Sequence, residues 1–214
     1  MMTAHEKNKV ARKQRVRNRN ERKIISAAEK VFSEKGYNAA TIQEMADNID
    51  IPKANIHYYF PTKKDLYLAV ITNLRDLWEN DIDIMMNEDD AKGALSGYVK
   101  SLLDLSFDNP HAHKIWSWEL MRGAKNLTPE IKQSMINRHK RETDLIKVWI
   151  KSGQIIQIEP QNLLYFIWGI TGHFSDLRDQ VRILNGNKYL NKEQREKVYE
   201  DAVSMVLRGI VIDS

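Results

Sequence analysis

Residues 41–66 constrain the fold of this chain more than any other segment. Thr41 and Glu44 have the spacing of a capping box, in which each side chain bonds the other residue's backbone N–H and starts a helix. Pro52 indicates a short turn after that helix, because the residue before a proline is pushed out of the helical conformation. A second short helix then runs to Pro61, which ends it. Two short helices joined by a tight turn predict a helix-turn-helix.

Apolar residues on either side of this segment recur at helical spacing. Upstream, a narrow apolar stripe predicts one helix, which Gly36 is suited to end: Ile24, Ile25, Ala28, Val31 and Phe32. Downstream, cap signals for further helices lie at Thr62, Asn109-Pro110, Thr128-Pro129 and Asn191. We find neither the alternation of a strand nor an internal repeat. The sequence therefore predicts an all-α protein of about nine helices, with an N-terminal three-helix helix-turn-helix domain and a C-terminal helical domain.

Basic charge is concentrated at the N-terminus. The net charge is +4, but residues 1–65 carry +6 and the remainder −2. Residues 1–20 lack apolar periodicity, so they are predicted to form a flexible basic arm. A helix-turn-helix domain at 21–65 and a helical domain at 66–214 follow. Such an arm either meets a polyanion or only keeps the chain soluble, and both readings fit its charge.

The composition excludes several classes of protein. There are no cysteines, so disulfides, thiolate zinc sites and thiol nucleophiles are ruled out. The longest apolar stretch, residues 163–170, is too short for a membrane span of about 20 residues, and the N-terminus lacks the apolar core of a secretory signal. His111 and His113 lie too early in a helix to share one face, so no metal and no cofactor are expected. These features indicate a cytoplasmic protein without enzyme motifs.

The second helix of the motif can present its outer face to a DNA major groove while its inner face packs on a scaffold. Lys53 and Asn55 lie near its start, with Ala54 between them, and these two side chain types pair with guanine and adenine. We predict that these residues read bases. Phosphate contacts are predicted for four flanking side chains: Thr41, His57, Tyr58 and Lys63. The arm either adds salt-dependent affinity or enters a minor groove.

The aromatic residues of this helix either contact DNA or pack the small bundle. Ile56, Tyr59 and Phe60 share one face at helical spacing. We therefore assign Tyr59 to the core and Tyr58 to the surface.

These residues make the segment similar to the TetR (tetracycline-repressor) family. The match extends from Ala27 to Leu66, and its densest part is the run His57-Tyr58-Tyr59-Phe60-Pro61. Ile51-Pro52 stands where Val-Ser is more usual in the family, and Ala54 where Gly is common. These departures bear on the target sequence rather than the fold. The resemblance implies an all-helical homodimer that represses transcription until a small molecule binds its C-terminal domain.

Residues 66–210 resemble the pyrimidine-utilisation regulators within that family, from Leu77-Trp78 to Ile167-Trp168. The resemblance implies a flat heterocycle of uracil or thymine type as effector. It makes Trp78 and Trp168 the aromatic walls, with two polar groups nearby: Ser106 and Thr171. Gly172 is a departure, because close members carry a hydrogen-bonding side chain there. Loss of such a group weakens discrimination, so the ligand can differ from a pyrimidine.

All five tryptophans lie beyond residue 65. Trp78, Trp116 and Trp168 come from three separate apolar helices, so a ligand pocket can form where these helices meet. Each tryptophan taken alone is more readily explained as core packing. Glu119, the lone acid in an apolar run, is expected to point to solvent rather than to neutralise a cationic ligand.

The last two helices predict a homodimer. Residues 163–174 are apolar on nearly all sides and need more than one neighbour, and a second apolar stripe runs from Val198 to Ile210. In the family these helices pair across a two-fold axis, and the dimer reads a palindromic operator in double-stranded DNA. The predicted function is a sequence-specific DNA-binding repressor released by a small-molecule effector. The alternative is a regulator controlled by protein partners or abundance, with a filled core around Trp78 and Trp168.

Overall fold

A computed structural model describes residues 4–88 and 90–212, and side chains are described except at positions 4–10 and 79–82. Within these ranges the chain forms ten helices: α1 (Ala4–Ala39), α2 (Ile42–Asp47), α3 (Lys53–Tyr59), α4 (Lys63–Met86), α5 (Ala91–Asp108), α6 (Pro110–Met121), α7 (Pro129–Lys151), α8 (Pro160–Asp176), α9 (Arg178–Leu184) and α10 (Lys192–Ile210). The all-α prediction is confirmed. The short α9 was not expected, because neither glycine nor proline marks the break at Leu177 that separates it from α8.

The helices fall into two compact units, residues 1–73 and 74–214, which divide within α4. The sequence placed the domain boundary at 65/66, close to where α4 begins. In the first unit, α2 packs on α1 and α3 packs on α2. Buried side chains from every helix fill the core: Ile24, Phe32, Met45, Ile56, Leu66 and Val70. Gly36 kinks α1 with a φ of 73°, a value that glycine adopts without strain.

The N-terminal part of α1 corrects one prediction. Residues 1–20 were expected to be a flexible arm, whereas the chain is helical from Ala4 onward. Glycine and proline are absent there, and lysine, arginine and glutamine have high helix propensity. Arg17 pairs with Glu21 at 2.9 Å, one turn along the helix. Polarity without an apolar stripe therefore did not mean disorder.

In the second unit, α8 is the central helix. It packs against α5, α6, α7 and α10, and α10 also packs against α5. The core is built around fully buried side chains that include Tyr98, Leu103, Ile146 and Leu164. An isolated antiparallel bridge joins Ile155 to Val211 and fixes the end of α10 against the segment after α7. No helix in the described ranges has the length and apolar character needed to cross a bilayer.

Candidate nucleic-acid interface and ligand site

The helix-turn-helix is held by local hydrogen bonds. Thr41 Oγ1 accepts from the Glu44 N–H at 3.2 Å, and the Thr41 N–H donates to the Glu44 carboxylate at 3.1 Å, which confirms the capping box. In the turn, Asp50 adopts a φ of 52°, and the Ile51 N–H donates to the Ala46 carbonyl at 3.1 Å. Asp tolerates this left-handed conformation better than most residues. The turn is therefore tight and fully specified by its own backbone bonds.

The seven residues of α3 have one buried and one open face. Ile56 is completely buried and anchors the helix. The outer face consists of exposed side chains only: Lys53, Ala54, Asn55, His57 and Tyr58. No hydrogen bond or ion pair within the described residues involves the side chains of Lys53 or Asn55. Their polar groups are consequently available to a partner.

Tyr58 and Tyr59 differ as the periodicity predicted. Tyr58 is 74% exposed, an unusual position for a large aromatic ring. Tyr59 is half-buried, and its hydroxyl accepts a hydrogen bond from Asn20 Nδ2 at 3.1 Å. The Arg17 guanidinium also lies 6.0 Å from the centre of the Tyr59 ring. Tyr59 thus ties α3 to α1, and Tyr58 is left to face outward.

Three of the four predicted phosphate contacts already have partners inside the protein. The Thr41 hydroxyl belongs to the capping box, and His57 Nδ1 lies 3.1 Å from the Pro61 carbonyl oxygen. The Lys63 ammonium donates to the carbonyl oxygens of Asn38 at 3.2 Å and Ala40 at 3.0 Å. It also lies 4.8 Å from the centre of the Tyr37 ring. Lys63 therefore organises the end of α1, a role that the sequence did not reveal.

The helical arm carries an ordered basic stripe. Arg12, Arg15, Arg19 and Arg22 are all exposed and follow one another at spacings of three, four and three residues. Such spacing places four guanidinium groups along one side of a helix. The stripe was not predicted, because residues 1–20 were expected to be flexible, although its spacing is visible in the sequence.

Two of the predicted effector tryptophans lie together in the second unit. The Trp78 ring contacts the Trp116 ring at a centroid distance of 4.8 Å and the His113 ring at 5.5 Å. Burial lowers the pKa of His113, and the Asp176 carboxylate opposes that effect more weakly. His113 Nε2 is buried and has no hydrogen-bond partner among the described residues. A neutral imidazole with one unpaired nitrogen therefore lies beside the Trp78 ring.

Ser106 and Thr171 also come together, but their hydroxyl protons are used in helix packing. Ser106 Oγ donates to the Thr171 carbonyl oxygen at 2.9 Å, and Thr171 Oγ1 donates to the Ile167 carbonyl oxygen at 2.9 Å. Both residues are buried. At Gly172, a Cβ would lie 3.5 Å from Asp176 Oδ2, which is an ordinary contact. A larger residue at position 172 would therefore not clash with its neighbours.

Trp168 belongs to a buried polar network that was not predicted from the sequence. Trp168 Nε1 donates to the Tyr98 hydroxyl at 2.8 Å, and that hydroxyl donates to Glu142 Oε1 at 3.1 Å. Arg138 Nε donates to the same carboxylate oxygen at 2.9 Å, and Arg138 Nη1 donates to the Trp78 carbonyl. Burial raises the pKa of Tyr98, and the Glu142 charge adds to that shift. Arg138 and Glu142 are four residues apart on α7, but Tyr98 and Trp168 are remote from them in sequence, so no local spacing signals the network.

Glu119 corrects another prediction. It was expected to point to solvent, but it is only 3% exposed. Its carboxylate accepts from the Asn126 N–H at 2.6 Å and from Asn126 Nδ2 at 2.9 Å. A buried carboxylate needs such donors, and they come from the turn that follows α6. In the described part of the chain, no three His, Asp or Glu residues are grouped so as to hold a metal ion.

Comparison with known proteins assigns the class. Residues 24–70 match the family model of bacterial regulatory proteins, tetR family. Residues 71–213 match the family model of the YcdC-like protein, C-terminal region, which is a TetR C-terminal domain. The chain belongs to the TetR family of bacterial transcriptional regulators, which are DNA-binding proteins rather than enzymes.

Individual relatives agree with that class. The chain is 29% identical over 187 residues to the HTH-type transcriptional regulator RutR of Escherichia coli (strain K12), which covers 87% of this chain and 88% of that protein. The fold of this chain is similar to that of the ketosteroid transcriptional regulator KstR2 of Mycobacterium tuberculosis, with a TM-score of 0.74 and 18% sequence identity. The match covers 91% of this chain and 96% of the KstR2 chain. AibR, solved with isovaleryl coenzyme A and operator DNA, gives a TM-score of 0.64 at 16% identity, with coverage of 86% and 96%.

Proposed function

We propose that this regulator reads its operator through the exposed face of α3. The observation that carries the proposal is that Lys53 and Asn55 are exposed, with no side-chain partner among the described residues, on a helix fixed by Ile56 and Tyr59. Lys donates to guanine, and Asn forms a bidentate pair with adenine in the major groove. Ala54 lies between them, and its small side chain lets the helix approach the base edges closely.

Phosphate contacts are assigned to the margins of this face. Tyr58 offers an exposed hydroxyl, and His57 offers Nε2, since its Nδ1 is directed at the Pro61 carbonyl. Thr41 lies at the start of α2, and Lys63 keeps one ammonium proton beyond the two carbonyl oxygens that it bonds. The arginine stripe of α1 follows the phosphate backbone as a rigid helix.

We further propose that a small-molecule effector releases the operator, as the TetR resemblance implies for a repressor. The solved relative AibR holds both isovaleryl coenzyme A and operator DNA, so one fold accommodates the two partners. In this chain the effector would lie among Trp78, Trp116 and Trp168, near Ser106, Thr171 and Gly172. Ligand binding then favours a conformer with lower affinity for the operator. Such a regulator acts in the cytoplasm, where its DNA is.

The experiment uses a duplex selected from a random-sequence pool with the wild-type protein. Fluorescence anisotropy measures the affinity for that duplex with and without nucleobases and other small metabolites. Trp78→Ala is expected to keep operator affinity and to lose release by the effector. Trp118→Ala is the matched control, because Trp118 is half-buried on the same helix as Trp116 but packs against the Lys114 ammonium at 4.9 Å. A regulator without an effector would show no release by any compound in the wild type.

We propose that the protein dimerises through α8 and α10. α8 exposes a stripe at spacings of four, three and four residues: Asn162, Phe166, Gly169 and His173. Phe166 is 61% exposed, and a side chain at Gly169 would meet no neighbouring residue within 4 Å, so a second helix can approach closely. On α10, Met205 is 65% exposed. A closed two-fold dimer would present two α3 helices to a palindrome.

Sedimentation tests the dimer directly. Phe166→Glu is expected to shift the protein to monomer and to weaken binding to a palindromic duplex. Val148→Glu is the control, because Val148 is equally exposed at 59% but lies on α7. If both variants remain dimeric, α8 is not the interface.

A further inference from the structure

We propose that Asn20 is a positioning residue for operator reading, because its hydrogen bond to Tyr59 fixes the orientation in which α3 presents its base-reading side chains. The inference rests on the proposed reading of bases by α3. It adds a role for α1 that does not depend on positive charge. The helical arm then contributes to sequence specificity as well as to salt-dependent affinity.

Two of the seven side chains of α3 are covered by the rest of the first unit. Ile56 is fully buried and Tyr59 is half-buried, while the other five side chains of the helix are exposed. The two covered residues are three positions apart, so they lie on one face of the helix. A short helix held at one point can tilt about that point. The orientation of α3 therefore depends on Tyr59 as well as on Ile56.

The contacts of Tyr59 come from the arm end of α1. Asn20 Nδ2 donates to the Tyr59 hydroxyl at 3.1 Å, and the Arg17 guanidinium lies 6.0 Å from the centre of the ring. Arg17 is itself paired with Glu21 at 2.9 Å. Residues 11–19 are all exposed, and Asn20 is the first residue after them that is partly covered. Asn20 thus lies where the helical arm first meets the helix-turn-helix.

Tyr59 also supports the exposed ring of Tyr58. The two rings meet edge to face, with centroids 5.1 Å apart and an interplanar angle of 88°. In the proposed interface the Tyr58 hydroxyl contacts a phosphate. Asn20, Tyr59 and Tyr58 therefore form a continuous series of contacts from the arm to the DNA-facing side of α3.

Reading of bases is more sensitive to the orientation of α3 than attachment to phosphates is. Hydrogen bonds weaken steeply when their angle or distance departs from the optimum, and a recognition site has to be held to within about 0.5 Å. Phosphate contacts carry no sequence information, so their loss weakens binding to every duplex alike. A positioning residue is consequently recognised by a loss of affinity that is larger for the selected duplex than for a scrambled one.

The experiment measures the ratio of affinities for the selected and scrambled duplexes by anisotropy at one salt concentration. Asn20→Ala and Tyr59→Phe each remove one partner of the hydrogen bond. Each is expected to lower the ratio by about two- to tenfold, the range for one hydrogen bond. The double variant should lower the ratio no further, because both changes remove the same bond. The ratio does not depend on the folded fraction, since both duplexes are measured with the same protein sample.

Asn18→Ala is the matched control. It also removes an asparagine amide from α1, but the Asn18 side chain bonds Gln14 at 2.9 Å. Its affinity ratio is expected to equal that of the wild type. Asn20→Asp is the rescue variant, because a carboxylate accepts the Tyr59 hydroxyl proton and restores the link with the donor reversed. It should keep the wild-type ratio, while its negative charge weakens binding to both duplexes equally.

Four results would overturn the inference: an unchanged ratio in Asn20→Ala and Tyr59→Phe, an equal fall in Asn18→Ala, additive losses in the double variant, or no recovery of the ratio in Asn20→Asp. Lys53→Ala and Asn55→Ala on the same duplexes separate this failure from failure of the proposed function. If they lower the ratio and the Asn20 variants do not, only the positioning role is wrong. If they also leave the ratio unchanged, base reading by α3 is itself wrong.

Discussion

The polar side chains of interest are exposed in the first unit and buried in the second. In α3, Lys53 and Asn55 are exposed and have no side-chain partner in the described part of the chain, while the residues around them are fixed by buried or hydrogen-bonded groups. In the second unit, Glu142 and Tyr98 are buried in a network that satisfies all but a few atoms. A surface that binds a highly charged polymer needs accessible donors, whereas a site for a small molecule needs desolvated ones.

This difference teaches where specificity is encoded. Specificity for DNA is expected to lie in exposed side chains that do not stabilise the fold, so these side chains can be changed with little effect on stability. On the ligand side the candidate residues also hold helices together. Substitutions there are expected to alter stability and binding at once.

The largest effect is expected at the base-reading residues. Lys53→Ala and Asn55→Ala should each lose about 1–3 kcal/mol of affinity for the selected duplex, the range of a good side chain–base pair. Thermal stability should be unchanged, because neither side chain bonds any of the residues that the structure describes. Anisotropy with selected and scrambled duplexes checks this. Lys30→Ala, an exposed lysine elsewhere on α1, is the control.

In the buried network, a substitution is expected to lower the stability of the protein. Tyr98→Phe removes the hydroxyl that serves both Trp168 and Glu142, and it should lower the free energy of unfolding by about 1–3 kcal/mol. Denaturant unfolding measures the change. Tyr165→Phe, on an exposed ring, should have no comparable effect. Equal stability of the two variants would show that the network contributes nothing to the fold.

A smaller effect is expected along the helical arm. Arg15→Ala should reduce the slope of log affinity against log salt by about 0.9, the value for one released phosphate counterion. Selected and scrambled duplexes should respond alike, because phosphate contacts carry no sequence information. Arg75→Ala serves as control, since that guanidinium is paired with Asp76 beyond the first unit. An unchanged slope would remove the stripe from the interface.

The smallest effect concerns pH. Burial lowers the pKa of His113 below its ordinary value of 6.5, so below pH 6.5 the unfolded chain binds a proton that the folded chain does not. The contribution to stability is complete above pH 6.5 and is lost as pH falls toward the folded pKa. His113→Phe should therefore flatten the fall in stability between neutral and acidic pH. Parallel pH profiles of the two proteins would contradict this assignment.

The sequence predicted the first unit far better than the second. The capping box at Thr41 and the outward position of Tyr58 depend on neighbours a few residues away, so spacing reveals them. Gly36 was expected to end the first helix, whereas α1 is kinked there and continues to Ala39. The network of Trp168 and Glu142 joins helices remote in sequence, and no periodicity signals it. Lys63 shows the same limit, because its hydrogen bonds to the carbonyl oxygens of Asn38 and Ala40 were not predicted from the sequence.

Cross-linking at α3 tests the central claim most directly. The chain has no cysteine, so Ala54→Cys introduces a unique thiol among the exposed residues of α3. Duplexes with a thiol-reactive tether on a major-groove base edge should capture Ala54→Cys at one position of the selected sequence, and should not capture Lys30→Cys. Capture of Lys30→Cys alone, or equal capture of both thiols at every tether position, would contradict base reading by α3.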